Sequence, residues 1–578
     1  MTRDTPSVIG AATFAAKVLA HRARRGFRNL LSPTPRYGTP GRSGTQSLRV
    51  QIAEVRSLLW TAESLVERSL QLGKIQNLRI AASLLTGVVI PGGQVFSFWR
   101  QVGHASRNKG FVEGRELREG CMIPAVGGGL CQLSNALYEA ALESGCEILE
   151  RHAHSMVVPG SAAAAGKDAT VAWNYVDLRF RPHQDVRLDA RLTANELVVR
   201  FLAHSPRQPT RVGAPAVQLR VLLDPVGHTC TDCEAQSCFR HRAPEAASSR
   251  EPVVAYLLDE PWPEFVRYIA DHRSANDVVA LPMTRGRYST ASSALCEMRV
   301  ITATLPGLRR GIAMRRSGTV PERVHRQLVG SEEIARSYSK RLPYQANHLV
   351  VAQSLLPYLW RSGTLGGRSF DVFTTRPSLG ELHRNLDEVA SRWPDRTTLK
   401  EYRAPEWMVL AENEALLHAT RIITPHRWLA QQYAKQSLKL DWQLPPSSAA
   451  RRGMTVIYPG PTVARKGAFD LREALWDTEV ELRVLGSELE GPNFWAGIKI
   501  QSARSRDWID GAAVVVQPAL LEDNPRPLLR AIAAGIPVIC TEQCGVSGMP
   551  GVEIVEFGEP ASLQQAIRNA LSSISQKL

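Results

Sequence analysis

No run of apolar residues in this chain approaches the roughly 20 that a helix needs to cross a bilayer, so no membrane-spanning helix is expected in it. The opening residues also lack the unbroken apolar core and small-residue cleavage site of an export signal, because Lys17, Arg22, Arg24 and Arg25 interrupt them. Cytoplasmic residence is the expectation that follows. Acid is nearly missing from the first fifty positions, where Arg22, Arg24, Arg25, Arg28, Arg36, Arg42 and Arg49 face only Asp4. This stretch reads as a basic, flexible N-terminal arm over residues 1–45, ending in the linker-like run Ser32 to Gly41. Two destinations stay open for it, bulk solvent or peripheral contact with an anionic membrane. No recognition motif accompanies the charge, so nucleic acid is not an expected partner.

Cysteine pairing is lacking as well. An odd count of nine, in a chain without an export signal, argues for reduced thiols or a metal site rather than a disulfide frame. Cys230, Cys233, Cys238 and His241 fall within a dozen residues and could supply four tetrahedral zinc ligands, or thiolates for an iron-sulfur cluster. A zinc ribbon uses two distant Cys-x2-Cys pairs, and only one is present. Metal binding and free thiols therefore both stay open.

What the chain does contain is length and alternation. At 578 residues it exceeds what one hydrophobic core supports, and three or four domains are expected. Apolar positions recur at helical spacing from Ile52 to Leu85, predicting two helices. A helix from Cys131 to about Ser144, capped at Gly145, precedes β-rich runs at 148–158, 169–180 and 198–202. These residues read as an α+β domain over 46–206, followed by a Cys-rich connector over 207–250. Beyond it, about ten short apolar runs alternate with helical patterns, from Val253–Leu258 to Glu553–Glu556. That rhythm marks doubly wound parallel sheets, and the length fits two Rossmann-like halves, 251–425 and 426–578.

The most direct chemical signal is Gly127-Gly128-Gly129-Leu130-Cys131, a glycine-rich turn running into a helix. The free amides and positive dipole end of a helix favour a thiolate. His152 or His154 could act as base, and Asp168 or Asp177 could orient it, in the order used by transglutaminase-like and papain-like thiol enzymes. A buried structural cysteine, or a pocket that binds without reacting, are the competing readings. Phe96, Gly103, Gly110-Phe111, the run Gly127 to Tyr138, Glu150-Arg151-His152, His154-Ser155, Asp168-Ala169-Thr170 and Asp177 to Phe180 together resemble a VanW-type domain, over about 87–182. The resemblance implies a cell-envelope association and brings little mechanism with it.

Tyr458-Pro459-Gly460, Arg465-Lys466-Gly467, Val484-Leu485-Gly486, Pro518 to Asp523, Ala531 to Ile539 and Cys544-Gly545 resemble the donor half of a retaining GT-B glycosyltransferase. The resemblance implies a nucleotide-sugar donor, with Lys466 and Arg465 stabilising the departing diphosphate and Glu522 accepting hydrogen bonds from the sugar. It further implies donor contacts from Gly460, Gly467, Asp523, Asn524 and Arg526. The chain departs from the family in carrying Arg530 where a second, ribose-holding glutamate is usual, and in lacking the arginine about six residues before the lysine.

The resulting expectation is a multidomain α/β protein, a VanW-like α+β domain followed by two Rossmann-like domains. It would act as a glycosyltransferase in cell-envelope or secondary-metabolite glycan synthesis, on a glycan or small-molecule acceptor. The alternatives are a Cys131-dependent acyl transferase or amidase, and a non-catalytic envelope-assembly or glycan-binding scaffold.

Overall fold

The structure, a computed structural model, describes residues 8–31, 34–38, 48–60, 65–118, 121–154, 166–173, 175–206, 253–318, 320–401, 403–446, 451–501 and 508–575. The chain forms two compact units, one built mainly on the residues up to Val253 and the other mainly on those from Val254 onward.

In the first unit, Val50–Leu58, Glu196–Ala203, Val186–Leu192 and Val89–Ile90 form an antiparallel sheet in that spatial order. The sequence had suggested a helix from Ile52, and this is corrected: residues 50–58 are a strand. Ala53 and Val55 are buried two residues apart while their neighbours are not, which is the period of a pleated strand with one covered face. The expected helical spacing holds only from Leu65 to Leu85. The helix Leu130–Glu143 packs Leu133, Ala136, Leu137 and Ala140 into the same core as Phe180, Val199 and Phe201. A smaller sheet joins Phe96–Ser97, Arg179–Arg181 and Glu147–Glu150.

Residues Val8–Leu31, expected to be part of a flexible arm, are a helix. Arg25 on it is buried and donates to both oxygens of Glu150 at 2.7 and 2.8 Å and to Asp177 at 3.1 Å. An arginine held in two carboxylates is the physical reason that this part of the leader has a defined seat.

The second unit carries two Rossmann-like sheets. Counting strands along the chain as Val253–Leu257, Val278–Leu281, Arg299–Thr302, Ala346–Ala352, Ser369–Phe373, Arg421–Thr424 and Ser437–Lys439, the first sheet has spatial order 3-2-1-4-5-6-7. The second, counted as Arg452–Tyr458, Glu481–Val484, Lys499–Ile500, Ala512–Gln517, Val538–Cys540 and Val552–Ile554, has order 3-2-1-4-5-6, all pairs parallel. Both faces of this sheet are covered. Val456, Val514 and Val516 lie in one core with the helices Ala468–Leu475 and Pro560–Ser575, while Ile457 and Val515 lie in another with Arg526–Ala533. Near-continuous apolar strands are what a doubly covered parallel sheet requires. The strand Ser437–Lys439 extends the first sheet beyond the boundary at 425 suggested by the sequence.

Candidate functional sites

In the first unit the glycine-rich turn delivers Cys131 as the second residue of the helix Leu130–Glu143. Gly129, at the helix N-cap, has φ +96, and a Cβ there would sit 2.2 Å from Cγ of Lys74. The turn therefore needs glycine for its backbone and for the buried lysine beside it, whose Nζ donates to the Leu59 carbonyl at 2.6 Å. Cys131 is half-buried, with Sγ 3.9 Å from the Val171 carbonyl oxygen.

The segment carrying Asp168 is pinned along this helix. Asn135 Oδ1 accepts from the Ala169 amide at 2.7 Å, and the Ser134 hydroxyl donates to the Ala169 carbonyl at 2.5 Å. The fully buried Asp168 carboxylate then meets His154 twice, accepting from its backbone amide at 2.5 Å and lying 2.6 Å from Nδ1. Burial alone would lower the His154 pKa, but side-chain hydrogen bonds to Asp168 and to Cys131 outweigh it and raise the imidazole to about 10. Asp168 and Cys131 thus both act on the His154 imidazole.

The other sequence candidates fall elsewhere. His152 is half exposed, with Nε2 3.4 Å from Glu150. Asp177 accepts from Ser97 Oγ at 2.6 Å, the Trp99 amide at 3.1 Å and Arg25, which makes it part of the seat for the N-terminal helix. The spacing of the two histidines could not separate these roles. The two contacts of His154 with Asp168 do.

In the second unit, Lys466 and Glu522 follow the first and fourth strands of the second sheet, on either side of the point where strand order reverses. Ligands of open α/β sheets bind outside the carboxyl ends of the strands at such a switch point. Lys466 is 5% exposed, with Nζ 2.7 Å from Glu522 Oε2 and 3.7 Å from Asp523 Oδ1. The Tyr458 hydroxyl donates to the Lys466 carbonyl at 3.1 Å, fixing the turn from below. Gly467 has φ +78, and a Cβ there would lie 2.0 Å from the Pro518 carbonyl oxygen, so glycine lets the two loops approach. Gln517 Nε2 donates to Glu522 Oε2, and the Asn524 amide donates to Oε1 at 2.8 Å. Gly460 lies between the Tyr458 ring and Gln517, and Arg465 is half-buried beside Lys466.

Two nearby arginines make contacts of their own. Arg526 does not turn into this pocket but grips Glu264, with Nη1 to Oε1 at 2.9 Å and Nη2 to Oε2 at 2.5 Å, between the Trp262 and Trp442 rings. Arg530, at the position of the usual second glutamate, stacks on the Trp508 ring, with 5.4 Å to its centroid.

Sequence reasoning passed over two buried groups. The His426 imidazole, pushed down to about 4 by burial, faces the carbonyls of Glu522 at 3.3 Å and Gln543 at 3.2 Å, which calls for a neutral ring donating from Nε2. Asp259, just past the first strand of the first sheet, accepts from Arg310 at 2.5 Å and from Ser354 at 2.7 Å. Its place after a strand at the switch point was the available signal. The residues Cys230, Cys233, Cys238 and His241 lie outside the described residues; among the described residues no group of histidine, cysteine and carboxylate side chains is arranged to hold a metal ion.

Among solved structures, sucrose-phosphate synthase from Thermosynechococcus elongatus is 13% identical with a TM-score of 0.36, covering 56% of this chain and 90% of that one. The lipopolysaccharide outer core galactosyltransferase WaaB is 12% identical with a TM-score of 0.34, covering 56% of this chain and 90% of that chain. The vancomycin B-type resistance protein VanW of Enterococcus faecalis is 29% identical over 169 residues, 29% of this chain and 62% of that protein. The uncharacterized protein YoaR of Bacillus subtilis is 29% identical over 147 residues, 24% of this chain and 48% of that protein. The chain therefore spans about half to three fifths of the length of these curated relatives. Residues 73–202 match the family described as VanW like protein, and this part of the first unit is a VanW-type domain.

Proposed function

We propose that the protein is a glycosyltransferase that takes its sugar from a nucleoside-diphosphate donor at the switch point of the second sheet, with the VanW-type domain as an accessory that handles the acceptor. The observation that carries this reading is the buried Lys466 ammonium beside Glu522 and Asp523. As the bond between the sugar and its diphosphate breaks, negative charge collects on the leaving oxygen. A lysine held in a desolvated pocket is worth most at that moment. Glu522, fixed by Gln517 and the Asn524 amide, is placed to accept from sugar hydroxyls once phosphate draws Lys466 away. Arg526 leaves the donor contacts, so the anion is met by Lys466, Arg465 and the amides around Gly467. The VanW-type resemblance supports a glycan of the cell envelope as the product.

The test is donor turnover across a panel of nucleotide sugars. Lys466→Ala is expected to lower turnover about a hundredfold or more with any donor that the wild type uses. Equal turnover in the two proteins removes Lys466 from the reaction.

A second reading rests on His154, which lies 2.6 Å from Asp168 and whose imidazole is raised by both Asp168 and Cys131. We infer that this constellation performs thiol acyl transfer or amide hydrolysis. Cys131 Sγ would attack an amide carbon to give a thioester, the imidazolium of His154 would protonate the departing amine, and water or a second amine would then release the acyl group. Cys131→Ser should abolish this activity and leave donor turnover intact, whereas Lys466→Ala should do the reverse.

A further inference from the structure

Between residues 16 and 27 the helix Val8–Leu31 turns its basic anchor inward and an apolar stripe outward. Arg25 is buried on Glu150 and Asp177, and His21 stacks with Tyr175 at 6.3 Å between ring centroids. About half a helical turn round from Arg25, Ala16, Leu19, Ala20, Ala23 and Phe27 recur at spacings of three and four and are all exposed. Leu19 is 69% exposed and Phe27 64%, in a chain that buries most of its large apolar side chains. Exposed Lys17 and Arg24 flank this stripe on one side and Arg22 on the other, and no acidic residue occurs anywhere between Val8 and Leu31.

An apolar stripe between cationic margins is complementary to an anionic bilayer: the stripe enters the acyl boundary while the bases meet the headgroups. A protein partner would be expected to meet some acid on the helix in exchange for these bases, and there is none. We propose that this helix lies in the plane of an anionic membrane surface, with Leu19, Ala23 and Phe27 immersed, and that the Arg25 ion pairs moor the VanW-type domain to it. Tyr175, against which His21 stacks, is four residues from Val171, whose carbonyl faces Cys131 Sγ at 3.9 Å. The helix thereby holds the loop beside Cys131 at the bilayer, where membrane-anchored acceptors are presented.

The experiment is co-sedimentation of the full chain with phosphatidylcholine vesicles, with and without phosphatidylglycerol. Binding is expected only where the anionic lipid is present, and it should weaken as salt rises. Leu19→Glu with Phe27→Glu should lower partitioning at least about tenfold, and Lys17→Glu with Arg24→Glu should do so too, each base lost being worth roughly fivefold. Both pairs are exposed, so unfolding temperatures should not move. Binding that is absent, indifferent to anionic lipid, or unchanged in the Leu19→Glu, Phe27→Glu protein overturns the proposal. So does a chain dimer, seen by sedimentation equilibrium, that this variant breaks without any vesicle binding by the wild type.

Discussion

His154 is the residue on which the thiol chemistry proposed for the first unit turns. Its imidazole is raised to about 10 because the gain from Asp168 and Cys131 exceeds the burial penalty. The folded pKa lies above the ordinary value near 6.5, so the stabilisation is fully present below pH 6.5 and is lost as pH rises through about 10. A histidine titration followed by NMR should find one ring whose midpoint lies near 10, and Asp168→Asn should bring that midpoint down by about two units or more. An ordinary midpoint in the wild type would dissolve the triad. The same pairing predicts that iodoacetamide alkylates Cys131 faster at neutral pH than the other cysteines. His154→Ala should slow the reaction about tenfold or more, while His152→Ala, which removes only a contact to Glu150, should leave it within about twofold. The sequence displayed the cysteine, both histidines and both aspartates. It could not say which histidine or which aspartate, because that choice depends on where an irregular segment is pinned by Ser134 and Asn135.

At the scale of the element, the glycine turn and the strands show where pattern reading succeeds. The expected helix end at Ser144 and the strands at 278–281 and 421–424 fall within a residue or so of those observed, since caps and short apolar runs are local signals. The strand Val50–Leu58 was read as helix because apolar residues at 50, 52, 53, 55 and 58 satisfy both periods over so short a run; long-range pairing with Glu196–Ala203 decided it. The turn before Cys131 yields a graded prediction. Gly129→Ala combines a positive φ with a 2.2 Å clash against Lys74 and should destabilise the first unit by about 2–4 kcal/mol. Gly166→Ala, with φ +78 and nothing within 4 Å, should cost about 1 kcal/mol. Equal shifts in urea midpoint for the two would show that the Lys74 contact does not constrain the turn. Acid gives a second handle on an element. Burial works against the Glu150 charge, but His152 and Arg25 hold its carboxyl down to about 2. That depressed value means Glu150's share of the mooring is fully present above about pH 4.5 and is lost as pH falls through about 2, whereas burial raises the Asp177 carboxyl, so Arg25 loses that second charge at higher pH. Protease protection of residues 8–31 should follow that window.

For the whole molecule, the alternation of apolar runs and helical patterns was enough to expect two Rossmann-like sheets, and both are present with the reversal of strand order that such sheets use. The boundary between them was less legible, because Ser437–Lys439 is a polar edge strand with little apolar signature. The motif residues Lys466, Glu522 and Asp523 do converge, and Arg526 does not, since sequence alone could not reveal that Glu264 lies opposite it. Lys466 and Glu522 are both buried, so removing one should leave an uncompensated charge. Lys466→Ala should destabilise by about 3 kcal/mol, and Lys466→Met combined with Glu522→Gln by distinctly less.

The most direct measurement is calorimetric titration of the purified chain with uridine and guanosine diphosphates. The account predicts saturable binding of at least one of them, weakened about tenfold or more in Lys466→Gln and unchanged in Cys131→Ser. No binding of any nucleoside diphosphate or nucleotide sugar, or equal affinity in the Lys466→Gln protein, would contradict the assignment of the second sheet's switch point as a donor site.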